Sequence, residues 1–247
     1  MNPDLEKSLL KAEEDHYWFR GRRRILWRLI SGLPLSSEAE ILDVGCGGGR
    51  FLIDLASFGA VTATEPSTAS FEVARRRGVG EVIQAPIEAL DFDGKRFDLI
   101  TCLDVIEHVQ DDVAGFEAML GTSRPGAFLV VTVPAYRWLW SDHDLLNHHY
   151  RRYTHRSLVA AAERAGWQAV RTTYFNALLL PAAAAYRLLD SHGVHRLRPA
   201  SRTVLTSTPK PLSRLLEQPL GLEARLLARG VRIPAGLSLL AVLRKPE

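Results

Sequence analysis

The residues most suited to chemistry lie together in Asp43-Val44-Gly45-Cys46-Gly47-Gly48-Gly49-Arg50, a carboxylate followed by four glycines in five positions. Glycines so clustered let a backbone come close to a ligand, because a Cβ would collide there and because some turn positions need positive φ. A carboxylate just before such a turn can accept charge-assisted hydrogen bonds from a cationic ligand. Glu65 follows about twenty residues on, where doubly wound nucleoside sites place the acid that accepts both ribose hydroxyls. A dinucleotide fingerprint would need glycine at position 50, which is Arg50, and no Gly-Lys-Ser/Thr follows to make a Walker loop.

A second concentration of reactive side chains runs from Tyr136 to Tyr153 and contains Trp138, Trp140, His143, Asp144, His148, His149, Arg151 and Arg152. Aromatic walls beside titratable groups suit a substrate-binding segment, and His143 or His148 is the candidate base. His143, Asp144 and His148 lack a diagnostic metal-ligand spacing, so no metal is assigned. Asp104 and His108 are four apart and would share a helix face if helix began at Asp104. Near the start, Trp18-Phe19-Arg20-Gly21-Arg22-Arg23-Arg24 sets guanidinium groups beside aromatic ones. Cys46 and Cys102, the only two cysteines, have no partner at metal-ligand spacing and read as small packing residues.

These groups need a scaffold, and the hydrophobic pattern supplies one. Short apolar runs at 40–44, 60–64, 81–85, 97–102, 127–133, 167–175 and 238–243 read as strands. Helical patterns lie between most of them: 5–30 as one helix, then 50–58, 68–77, a helix near Asp111, and 154–165. Strands alternating with helices predict βαβ crossovers and an α/β fold with a doubly wound, mostly parallel, seven-stranded sheet. The interval 176–235, interrupted by Pro181, Pro199, Pro209, Pro211, Pro219 and Pro234, reads as a helical insertion or cap before the last strand. The expected division is a helical lid over 1–35, a binding domain over 36–175 and 236–247, and the insertion over 176–235.

On this pattern the chain resembles the class I S-adenosylmethionine-dependent methyltransferases. The resemblance rests on Ile41-Leu42-Asp43-Val44-Gly45-Cys46-Gly47-Gly48-Gly49, on Glu65, on Asp98-Leu99-Ile100-Thr101-Cys102-Leu103-Asp104-Val105-Ile106-Glu107-His108-Val109 and on Arg124-Pro125-Gly126-Ala127. It implies S-adenosylmethionine as cofactor, with Asp43 beside the donor's ammonium group, Gly45, Cys46 and Gly47 around its methionine and ribose portions, and Glu65 with Pro66 at the ribose. Cys102, Leu103 and Asp104 would line the methionine end, and His108 would pack beside the donor. The 16–24 segment resembles the family's donor-covering helix, which implies that Arg22 or Arg24 clasps the methionine carboxylate while Trp18 packs as a lid. The family often has an Asp for the adenine amino group where this chain has Pro86, so adenine would rest on Ala85, Pro86 and Ile87. The implied reaction is methyl transfer to oxygen, nitrogen or carbon of a small-molecule or lipid- or sugar-linked acceptor. A donor-binding module without catalysis and a dinucleotide-dependent oxidoreductase stand as alternatives.

Composition bounds the rest. With 247 residues, 47% hydrophobic and 24% charged, the chain can bury a sizeable core. A net charge of +3 is too small to imply nucleic acid as a partner, and the fourth-strand region lacks the Asn/Asp-Pro-Pro-aromatic signature of amino-methylating enzymes. Between Arg187 and Arg232, nine Arg or Lys face three acids. Together with the apolar 177–186 stretch, too short to span a bilayer, this suggests a peripheral membrane contact through 177–232. The opening residues alternate acidic and apolar groups and read as no signal peptide, so a cytoplasmic location is expected.

Overall fold

The structure, a computed structural model, describes residues 3–191 and 210–247. Its elements run α1 (Pro3–Asp15), α2 (Tyr17–Ile30), β1 (Ala39–Val44), α3 (Leu52–Leu55), β2 (Gly59–Thr64), α4 (Thr68–Arg76), β3 (Glu81–Ile83) and β4 (Phe97–Leu103). They continue with α5 (Asp112–Thr122), β5 (Ser123–Pro134), α6 (Asp142–Leu146), α7 (His155–Arg164), β6 (Gln168–Phe175), α8 (Leu180–Ser191), α9 (Lys210–Ala228) and β7 (Ser238–Arg244).

The seven strands form one sheet in the order β3-β2-β1-β4-β5-β7-β6. The first five are parallel and β7 is antiparallel to both of its neighbours. Parallel strands are covered on both faces, which is why β1 and β4 read as nearly continuous apolar runs. One face packs Phe116, Tyr153, Leu158 and Trp167 from the α5 and α7 side, with the Trp167 indole N–H donating to the Phe116 carbonyl at 3.0 Å. The other packs Ile25, Leu26 and Leu29 of α2, Leu52 and Leu55 of α3, and Leu220, Ala224 and Leu227 of α9. Strand order reverses between β1 and β4, so the crevice outside their carboxyl ends is where a doubly wound sheet binds its ligand.

Four details depart from the sequence pattern. The single helix expected over 5–30 is two, because His16 is extended (φ −74°, ψ 136°) and caps α2 through a 3.3 Å bond from the Trp18 N–H to its ring. The helix expected over 50–58 is reduced to α3, since the bonds of Asp54 to Phe51 and of Phe58 to Leu55 tighten the chain into three-residue turns before β2. The strand expected over 127–133 begins earlier, at Ser123, so that Pro125 and Gly126 fall inside β5, and its pairing with β4 shifts register between Phe97 and Leu99. Asp104 begins no helix: it has φ 58°, and only one short turn, Ile106–His108, follows. In the 176–235 interval, α9 packs on α2, and Glu223 accepts from the Asn176 and Ala177 N–H groups at 2.6 and 2.9 Å. Arg196, Arg198 and Arg202 of the basic tract lie outside the described residues.

Candidate active site

Two turns and one helix meet at the switch point. The turn after β1 is tied to β2, because the Gly45 and Cys46 N–H groups both donate to the Thr64 carbonyl, at 2.8 and 2.9 Å. Gly45 (φ 71°) and Gly47 (φ 58°) hold left-handed backbone, and a Cβ on Gly45 would lie 2.5 Å from Val105 Cγ2. The glycines thus serve both conformation and space.

Three carboxylates surround this turn. Asp43 is buried and accepts from the Thr101 hydroxyl at 2.6 Å, and burial pushes its carboxyl up to about 7. Glu65 is buried at the end of β2. Its Oε2 accepts from the Gly47 N–H at 2.8 Å and its Oε1 from the Ser67 N–H at 2.9 Å, while burial raises its pKa. The third is Glu13 of α1, which no motif singled out. Its Oε1 accepts from the Gly48 N–H at 3.0 Å, and burial raises its pKa too.

The basic candidates separate. Arg22 reaches the crevice, where it pairs with Asp104, whose N–H is anchored on the Thr132 carbonyl at 2.8 Å. Arg24 turns away and pairs with Glu217 of α9 at 2.8 Å. Trp18 stacks on Phe175 at the end of β6, ring centres 5.5 Å apart, and packs on the same apolar cluster as Cys46. Arg24 departs from the expected clasp because α9, which packs along α2, supplies its carboxylate partner. Pro66 leads from Glu65 to α4, and the third-strand turn carries Ala85, then Pro86, then Ile87, whose side chain is drawn into the core. Cys102 and Leu103 are buried strand residues, and burial pushes the thiols of Cys46 and Cys102 upward, away from thiolate chemistry.

On the opposite wall, Tyr136 (φ 58°) stacks on Tyr174 at 5.0 Å and on the exposed Trp138 at 5.8 Å. Below this stack Asp144 is fully buried. It accepts from Arg152 Nε at 2.7 Å, Arg152 Nη2 at 3.0 Å, Ser141 N–H at 2.8 Å and the His149 ring at 2.9 Å. Burial alone would raise its pKa, but the bonds from His149 and Arg152 hold it well below the usual carboxylate range. The carboxylate partner therefore falls to His149. His143 lies 3.3 Å from the Asn147 amide with its ring edge-on to His149, centres 6.2 Å apart, and burial lowers its pKa, whereas the left-handed His148 (φ 57°) is exposed.

His149 packs edge-on against His108, ring centres 4.6 Å apart, and burial beside that imidazole lowers His108 to about 4. Glu107, His108 and His149 each place a ligand atom within 4.8 Å of the others, a set of types that could hold a divalent transition ion. Glu107 is fully buried, neither carboxylate oxygen has a hydrogen-bond partner, and burial beside Asp104 raises its pKa far above the ordinary value. The pairing of Asp144 with Arg152, eight residues away, was beyond sequence reasoning. The adjacent Glu107-His108 was visible, whereas its approach to His149 was not.

Comparison with known proteins bears on the family and the fold. A family model described as a methyltransferase domain matches residues 12–172. A ubiquinone biosynthesis O-methyltransferase of Methylocella silvestris is 38% identical over 138 residues, 52% of this chain and 51% of that protein. One of Methylobacterium nodulans is 27% identical over 197 residues, 69% of this chain and 76% of that protein. One of Alkalilimnicola ehrlichii, 38% identical, is covered over 40% of its length. The chain thus spans about half or less of two of these relatives. The N-methyltransferase NodS of Bradyrhizobium japonicum, in complex with S-adenosylhomocysteine, shares the fold at TM-score 0.58 and 14% identity, over 95% of this chain and 91% of that one. The [4+2]-cyclase SpnF shares it at TM-score 0.58 and 17% identity, over 92% and 80%.

Proposed function

This chain belongs to the methyltransferase-domain family, the class I S-adenosylmethionine-dependent methyltransferases, and on that premise we propose that it transfers a methyl group from S-adenosylmethionine to an oxygen of a small-molecule acceptor. The observation carrying the proposal is the convergence of the glycine turn, Asp43 and Glu65 at the switch point of the sheet. The residues fit the donor. The turn keeps a space without Cβ atoms, two carboxylates flank it with raised pKa values, and it already receives a carboxylate, that of Glu13, near the Arg22 guanidinium.

When bound, the donor supplies a sulfonium-activated methyl group. The chain's own part is to hold and orient. Asp43 would accept from the ammonium group, Glu65 from the ribose hydroxyls, and Arg22 would face the carboxylate end. Holding two reactants in line supplies roughly 7 to 11 kcal/mol of barrier reduction. Tyr136, Trp138 and Tyr174 offer aromatic surface for the acceptor, and the His108–His149 pair lies beside the Arg22–Asp104 pair, where an acceptor hydroxyl could pass its proton. Oxygen is favoured as the methylated atom because the curated relatives carry the name O-methyltransferase. Exposed Leu178, Leu212, Leu215 and Leu222 support peripheral contact with a membrane or a lipid-linked acceptor. Among the described residues no helix is long and apolar enough to cross a membrane.

The test is incubation with isotopically labelled S-adenosylmethionine and lysate of the source cells, read by mass spectrometry. Label should appear on one class of small molecule, through an oxygen. Donor binding without transfer to any fraction would reduce the protein to a binding module, and thermal stabilisation by a nicotinamide dinucleotide but not by S-adenosylhomocysteine would exclude the reading.

A further inference from the structure

We propose that α1 is a displaceable plug, its Glu13 carboxylate occupying the part of the glycine turn where the donor's amino-acid end binds, so that helix and donor compete for one place. The inference rests on the donor assignment above.

Glu13, with Leu10 beside it at Gly48, fills the space that the glycines leave. A Cβ on Gly47 would lie 2.6 Å from its Oε1, and one on Gly48 would lie 2.7 Å from its Oε2. The cavity left beside it, lined by residues including Glu13, Arg22, Cys46 and Phe51, holds about 30 Å³. Ligand pockets run from roughly 300 to 1,000 Å³, so the amino-acid end of a donor has no room beside Arg22 and Arg50 while Glu13 stays.

The plug satisfies the site poorly. Glu13 Oε2, Arg22 Nε and Arg50 Nη1 are buried with no hydrogen-bond partner. A ligand carrying both an ammonium and a carboxylate could complete groups that Glu13 leaves unpaired. Burial also raises the pKa of Glu13, so its charged form is held at a cost.

The fastening is polar and local. Glu6 accepts from the hydroxyls of Ser67 and Ser70, Glu14 pairs with Arg77 and Arg50, and Arg23 donates to the Glu13 carbonyl at 2.9 Å. Of the α1 side chains described, Ala12 alone is a buried apolar one. Contacts of this kind, partly open to water, hold weakly. An extended His16 between α1 and α2 supplies a joint about which α1 can swing.

The experiment is calorimetric titration of the full chain with S-adenosylhomocysteine. If the plugged state holds nine-tenths of the molecules, freeing the turn tightens binding about tenfold. Glu13→Ala should show that gain. Glu6→Ala, which loosens the fastening without touching the turn, should show a smaller gain in the same direction. Amide hydrogen exchange across residues 3–15 should quicken when S-adenosylhomocysteine is added. Weaker or unchanged binding by Glu13→Ala, or slower exchange in α1 on addition, overturns the plug while leaving the donor assignment intact. Absence of binding by the wild type and by both variants overturns the donor assignment, and the plug with it.

Discussion

The two sides of the crevice treat buried carboxylates in opposite ways. On the donor side, Asp43, Glu65 and Glu13 crowd one turn, and burial raises all three pKa values. On the acceptor side Asp144 is equally enclosed, yet one guanidinium, one imidazole and one backbone N–H saturate it, and its pKa falls. A carboxylate short of cations is suited to receiving a cationic ligand, whereas a saturated one is an internal tie. The wall at the glycine turn thus has the chemistry of a binding wall under the proposed function, and the 135–153 segment is internally tied while its aromatic surface faces outward.

Asp144→Ala breaks the comparison most severely. It leaves the nearly buried Arg152 guanidinium without its partner, and the loss of unfolding free energy in urea should be about 3 to 5 kcal/mol. A loss below 1 kcal/mol would show that the tie is ornamental.

Asp43→Asn tests the opposite wall. The native carboxyl titrates near 7 and the unfolded one near 3.8, so the native state keeps a proton that the unfolded chain has already released. Stability of the wild type relative to Asp43→Asn should therefore fall as pH rises from about 4 to about 7, by up to about 4 kcal/mol. Parallel pH profiles for the two proteins would contradict the raised value. The same substitution should weaken S-adenosylhomocysteine, since the amide carries no charge for an ammonium.

Glu65→Ala should cost about 1 to 3 kcal/mol of donor affinity, by removing hydrogen bonds to a charged acceptor. Unchanged affinity in calorimetry would remove the ribose role. Trp138→Ala carries the smallest stability change, within about 0.5 kcal/mol, because the side chain is 56% exposed. Its effect should appear instead as a raised acceptor KM with donor affinity unchanged. A change in donor affinity would mean that the two walls are not separate.

The donor wall was legible because its parts are local. Asp43 and the glycine turn are contiguous, and Glu65 ends the neighbouring strand, so strand periodicity located them in the fold, while their roles toward a donor were implied by the family resemblance. The acceptor wall was visible only as a rich composition. His143 and His148 stood out as bases, whereas the buried partner of Asp144 is His149, because a short helix and a left-handed residue at position 148 turn the adjacent imidazole inward. Glu13 and Arg24 carried no readable signal, since what each meets depends on where α1, α2 and α9 cross.

By itself, then, the order of apolar runs, glycines and acids determined a doubly wound sheet and the end of it where a ligand sits, because these follow from periodicities of a few residues. Tertiary structure alone decided which carboxylates are saturated and which are left wanting, since that depends on charges brought together from elements as far apart as α1 and the turn after β1. The energy of a buried charge is set by its neighbours in space, and chain order does not record them.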